Sequence, residues 1–122
     1  MINTTLCHIE KDGKYLMMHR VKKENDINHD KWVAIGGKFE SGESPEEANA
    51  REVFEETGLT LGNARLCGIV TFVSNEWGTE YMHLFHATEF SGELNEKNFK
   101  ETVICNYIFN NTFFFECKCF CL

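Results

Sequence analysis

The chain has 122 residues, 43% of them hydrophobic, which leads one to expect one domain with a single core. Its formal net charge of −7 argues against a nucleic-acid polymer as ligand, since such binders usually carry a basic stripe. No run approaches the ~20 apolar residues of a membrane span, the start MINTTLCHIEKDG lacks the apolar core of a signal peptide, and six unevenly placed cysteines make no disulfide framework, so a cytoplasmic protein without membrane contact is expected.

Residues 4–10 and 15–20 read as two strands, with Asp12-Gly13 as the hairpin signal between them. Residues 21–31 are polar and charged and read as a loop. Residues 32–35 read as a short buried strand that delivers Gly36-Gly37, where the backbone can be approached closely. Ser44-Pro45-Glu46-Glu47 is a helix start: a capping serine, proline at the first helical position, and a glutamate that closes a capping box. Gly58 is the matching stop. The helix is predicted over residues 45–57. Residues 66–73 and 81–88 read as strands connected by residues 74–80. The five histidines show no ligand spacing with the cysteines, and each reads as a strand or surface histidine. Trp77 reads as a hairpin cap, with the edge of a base pocket as the less favoured role.

At ~100° per residue, Glu52, Glu55 and Glu56 fall within an arc of roughly 100° on this helix. Ala50, Val53, Phe54 and Thr57 fall opposite and are the expected core face. Three carboxylates on one arc repel one another, and an arriving cation relieves that repulsion. Hard divalent ions take oxygen ligands, and Mg²⁺ commonly combines carboxylates with substrate phosphates. Taken alone, three glutamates are more often a solvated acidic face than a metal site. Arg51 stands four residues before Glu55, in ion-pair range, and reads as a residue that fixes the loop and the glutamate rotamers.

Those glutamates belong to a longer pattern. Residues 37–59 read GKFESGESPEEANAREVFEETGL, or G-x5-E-x7-R-E-U-x-E-E-x-G-U with U a bulky aliphatic. Nine specified positions coincide by chance only about once in 10⁹ starts at average residue frequencies. The stretch resembles the Nudix box at every specified position. Its flanks, over residues 6–94, resemble the MutT/MutX-like oxidised purine nucleoside triphosphate diphosphatases. The resemblance implies an α+β Nudix fold, an α/β/α sandwich with a mixed sheet. It implies Mg²⁺-dependent hydrolysis, with Mn²⁺ as a substitute, of a nucleoside triphosphate to monophosphate and pyrophosphate. Its metal ligands would be Glu52, Glu55, Glu56 and the main-chain carbonyl of Gly36, with Glu43 and Arg51 orienting the site. Arg20 and Lys38 would meet the phosphates, each weighed against an ordinary surface or strand-end role. The partner would be a small-molecule nucleotide, and the protein a monomer or dimer. The alternatives are a Nudix hydrolase of another nucleoside diphosphate derivative, or an inactive nucleotide-binding remnant.

The resemblance ends near Leu94. Residues 1–94 are expected to form the Nudix domain. Residues 95–122 read as an atypical tail, frameshifted or truncated, that leaves the fold incomplete at the C-terminus. Residues 105–122 hold five phenylalanines and four cysteines without a clear period. Cys117, Cys119 and Cys121 lack the usual zinc spacing.

Overall fold

The computed structural model describes residues 1–12, 14–20, 31–94 and 101–106. Seven strands and one helix are present among them: β1 (Ile2–Lys11), β2 (Lys14–Arg20), β3 (Lys31–Val33), β4 (Ile35–Lys38), α1 (Pro45–Thr57), β5 (Thr60–Ser74), β6 (Gly78–Ser91) and β7 (Glu101–Asn106). The main path of the sheet runs β3-β2-β1-β6-β5, with β4 beside β1 and β7 beside β2.

Strand β1 organises the sheet because it changes partners along its length. Its first part runs antiparallel to β4, from Thr4 opposite Lys38 to Cys7 opposite Ile35. On its other side it runs parallel to β6, from Ile2 opposite Glu80 to Ile9 opposite Ala87. Its last residues turn into the predicted hairpin, with Glu10 opposite Tyr15. Thr4, Thr5, Leu6 and Cys7 are consecutively buried, as expected of a strand covered on both faces. The sheet is therefore mixed, and α1 packs on it. Val53 from α1 joins Cys7, Ile9, Leu16, Ile35, Leu59, Phe85 and Ala87 in the core.

Residues 32–35 do not form one strand. The segment divides at Ala34 into β3, which pairs with β2, and β4, which pairs with β1. The chain thus steps from one part of the sheet to another immediately before the two glycines. The hairpin strands β5 and β6 are longer than residues 66–73 and 81–88, and their turn is correspondingly tighter, with Gly78 at φ 78°. Trp77 stands in that turn, 59% exposed.

The helix bounds agree with the prediction, but its faces agree only in part: Val53 and Thr57 are buried as expected, Ala50 and Phe54 are not. The buried residues of α1 are Ala48, Asn49, Val53 and Thr57. Phe54 is 58% exposed, and Ala50 is exposed too. Glu52 and Glu56 are only partly exposed, so the carboxylate arc overlaps the buried side. The reason lies in β4. Gly36 and Gly37 present no side chain, so the helix can lay its glutamates against that strand. Polar contacts there, described below, set the helix's rotation as much as apolar area does.

The second helical layer of the expected sandwich is not among the described residues. Of the tail, residues 101–106 pair antiparallel with β2, from Asn106 opposite Lys14 to Glu101 opposite His19. The cysteine run 117–121 and most of the loop 21–31 lie outside the described residues.

Candidate active site

The helix that carries the glutamates is fixed at both ends by local chemistry. Ser44 accepts from the Glu47 N–H at 3.2 Å, and the Glu47 carboxylate accepts from the Ser44 N–H at 2.8 Å. At the other end Gly58 adopts φ 80° and donates its N–H to the Phe54 carbonyl, a left-handed stop that a side chain would strain. Thr57 ties the last turn by donating to the Val53 carbonyl at 2.6 Å and accepting from the Leu59 N–H at 3.1 Å.

Arg51 is the hub of the site. Its Nε donates to Glu43 Oε1 at 2.6 Å, and Nη2 to Glu43 Oε2 at 3.1 Å, a two-pronged grip. Nη1 donates to Glu52 at 2.8 Å and to Glu55 at 3.0 Å. Nη2 also donates to the Lys38 carbonyl at 2.9 Å. A guanidinium has five N–H donors, and these contacts use them all. The Arg51 side chain is 20% exposed, Glu43 15%, Glu52 14% and Glu55 55%. Hydrogen bonding from Arg51, and then from the Glu40 N–H, holds the Glu43 carboxyl below the ordinary carboxylate range. The Glu43 bond, aided by Glu52, raises the already high pKa of Arg51 further.

The glycines of β4 form the floor. The Gly36 N–H donates to Glu56 Oε2 at 3.1 Å. A Cβ on Gly37 would lie 2.5 Å from Glu52 Oε2, so the carboxylate rests on the bare Cα. A Cβ on Gly36 would strike the Thr5 carbonyl of β1. The two glycines therefore have different tasks: Gly36 lets β4 and β1 approach, and Gly37 gives room to Glu52.

The structure thus brings together Gly36, Glu43, Arg51, Glu52, Glu55 and Glu56 from the sequence-predicted set. Lys38 enters through its carbonyl, and its side chain is exposed. Arg20 ends β2 opposite Lys31, but its side chain lies outside the described residues. The sequence does not single out Thr5, and His83, read there as a strand or surface histidine, is a strand residue in β6. His83 is buried, its Nδ1 is 3.1 Å from the Thr4 carbonyl, and its ring is 5.0 Å from that of Phe39. Thr5 Oγ1, buried on the neighbouring strand, has no partner among the described residues. Nothing in the spacing marks these residues, because β1 and β6 meet only through the sheet.

Three carboxylates on one guanidinium, with Glu56 beside them on the Gly36 N–H, leave the cluster negative, and all its side-chain donors are hard oxygens. That donor set suits Mg²⁺ or Mn²⁺ and offers nothing to a soft metal. Among the described residues no three His, Cys, Asp or Glu side chains already converge as a metal cage. Glu52 and Glu55 are turned to Arg51, and Glu56 to Gly36. No helix among the described residues is long and apolar enough to cross a membrane.

Comparison with known proteins bears on the fold and the family. The NUDIX domain family profile matches residues 2–109. The chain is 34% identical over 96 residues to the uncharacterised Nudix hydrolase YvcI of Bacillus subtilis, covering 73% of this chain and 55% of that protein. It is 32% identical to the oxidised purine nucleoside triphosphate hydrolase of Danio rerio, covering 77% and 59%. The chain thus spans a little over half the length of these two relatives. The solution structure of the E. coli ORF135 protein superposes with a TM-score of 0.73 at 28% identity, over 86% of this chain and 73% of that one. With the box helix, its arginine hub and the glycine floor in place, the chain belongs to the Nudix family.

Proposed function

We propose that this protein hydrolyses nucleoside triphosphates, oxidised purine forms foremost, to the monophosphate and pyrophosphate, and so clears damaged nucleotides from the soluble pool. The observation that carries this reading is the single guanidinium of Arg51 bonded to Glu43, Glu52 and Glu55, beside Glu56 on the glycine floor. Support for the substrate comes from the Danio rerio relative and from a Proteus vulgaris 8-oxo-dGTP diphosphatase, 35% identical over 68 residues.

Glu52, Glu55 and Glu56 would hold Mg²⁺ or Mn²⁺, with the Gly36 carbonyl as a main-chain ligand. When bound, the ion supplies charge neutralisation at the phosphate oxygens and acidifies water. Transfer of a phosphoryl group to water demands positioning and electrostatic stabilisation more than covalent help, and no cysteine or serine nucleophile is invoked. Arg51 supplies the positioning. It holds Glu43 and the Lys38 carbonyl together, so the loop before α1 and the end of β4 stay registered with the glutamates. Glu52 and Glu55, both held by Arg51 Nη1, would be two of the carboxylates that hold the cation. Lys38, exposed at the end of β4, and Arg20, at the end of β2, are the proposed phosphate contacts. The free thiols Cys7 and Cys67 suit a reducing, cytoplasmic setting.

A second reading is a pyrimidine triphosphate substrate. The E. coli CTP pyrophosphohydrolase is 31% identical and matches 87% of this chain and 76% of its own length. Pyrophosphate release from 8-oxo-dGTP, dGTP and CTP, and AMP release from ADP-ribose, each with Mg²⁺ and with excess EDTA, separates the readings. Preference for 8-oxo-dGTP that EDTA abolishes is the expected result. Preference for CTP selects the second reading, and nucleotide binding without pyrophosphate release rejects both.

A further inference from the structure

Strand β5 ends the strand order, and among the described residues it pairs on one side only, with β6. Exposed sheet edges are templates for pairing, and proteins usually blunt them with charges or bulges. The first half of β5 is blunted in this way. Its register against β6 is irregular between Leu61 and Gly68, and Arg65 stands there. The second half is not. From Gly68 opposite Leu84 to Ser74 opposite Gly78 the ladder is regular, and residues 66–75 carry no charge. Ile69, Thr71 and Val73 share one face of this stretch by the two-residue period of a strand. All three are exposed, Ile69 at 54% and Val73 at 80%, whereas Val70 and Phe72 between them are partly buried.

We propose that this edge is a self-association surface on which a second copy of the chain adds its own β5 antiparallel, with a two-fold axis at Thr71. Three features select another copy as the occupant. Charge is the first. The uncharged run is bounded by Arg65 at one end and Glu76 at the other. Antiparallel self-pairing brings the Arg65 end of each copy to the Glu76 end of the other, whereas parallel pairing sets like charges together. Side-chain complementarity is the second. A two-fold axis at Thr71 places Ile69 opposite Val73 twice and Thr71 opposite itself, so the exposed apolar pair is matched by the symmetry. Moving the axis by half a residue sets Val73 opposite Val70, on the other face of the strand. Net charge is the third. Two chains of −7 repel over most of their surface, and this uncharged strip allows close approach.

Such a contact is short. It falls below the ~800 Å² per partner of a standard interface, so the dimer is weak and concentration-dependent. None of Ile69, Thr71 or Val73 belongs to the carboxylate cluster.

Sedimentation of the full chain from about 1 µM to about 1 mM, the range of weak association, tests this. The wild type should rise toward twice the chain mass. Val73→Lys should remain at the monomer mass throughout with an unchanged Tm, because Val73 faces solvent. Thr71→Cys, made with Cys67→Ser to remove an exposed thiol, should give a disulfide-linked dimer on oxidation. Directly opposed residues have Cα atoms ~4.5–5.5 Å apart, within disulfide reach. Ser74→Cys in the same background should not, because its opposite residue is Gly68. The proposal is overturned by a wild type that stays monomeric at the highest concentration. It is equally overturned by a Val73→Lys protein that dimerises like the wild type, which would put the contact elsewhere, or by equal cross-linking of the two cysteine variants.

Discussion

The Glu52 carboxylate rests on the bare Cα of Gly37, where a methyl group would lie 2.5 Å from its Oε2. One residue earlier, a methyl group on Gly36 would meet the Thr5 backbone instead. Two alanine substitutions therefore separate site from fold. Gly37→Ala displaces the end of a flexible side chain and should leave Tm nearly unchanged while kcat falls, by up to ~10²-fold for a misplaced group. Gly36→Ala pushes β4 from β1 and should cost at least the ~1–3 kcal/mol of an overpacked core. Thermal melts and steady-state rates on both variants check this, and equal effects on Tm would count against the division of tasks.

Arg51 serves five acceptor atoms of four residues on three segments of chain, a task for a planar fork. Arg51→Lys keeps the charge but has three donors on one atom. It should lower kcat and loosen the loop before α1. The same grip sets a pH dependence. Because the folded pKa of Glu43 is depressed, its stabilising contribution is complete above the ordinary value of 4.5 and is lost as pH falls through the folded value. The Tm difference between wild type and Glu43→Gln should be largest near neutrality and close in acid below 4.5.

Val53 is fully buried, and Phe54 beside it is 58% exposed. Val53→Ala should cost about 2 kcal/mol. Phe54→Ala should fall within about 0.5 kcal/mol of wild type, like other surface changes. Denaturant titrations of the pair decide which face of α1 is the core face.

A further pH effect comes from the sheet. His8 is opposite His86 on β6, its ring 5.8 Å from that of Tyr15, with the Glu10 carboxylate bound by Tyr15 and His86. Burial, and next the charge of His86, push the His8 pKa down to about 4. An unfolded chain takes up that proton near 6.5, before the folded one does. Stability is therefore complete above 6.5 and declines as pH falls toward 4, by up to roughly 3 kcal/mol. His8→Gln should flatten the stability profile across that window, measured by urea unfolding at stepped pH.

Local chemistry made the box helix legible. Ser44, Pro45, Glu47 and Gly58 act within a turn of the chain, so the bounds Pro45–Thr57 follow from sequence alone. The hairpin between β1 and β2 and the grouping of three glutamates on one arc are local in the same sense. Tertiary contacts decided what remained. Phe54 is exposed because the helix turns its glutamates toward two glycines of β4, Gly36 lying 20 residues before Glu56 in the chain. The strand through residues 32–35 divides at Ala34 because β3 and β4 serve different neighbours. Spacing suggested only the Arg51–Glu55 pair; Glu43 and the Lys38 carbonyl join it because the loop folds back across the helix. Thr5 and His83 meet through a parallel pairing of strands 78 residues apart, a separation over which sequence pattern carries no register. Period and capping are properties of neighbours in the chain, whereas helix rotation and strand order depend on which distant surfaces fit together.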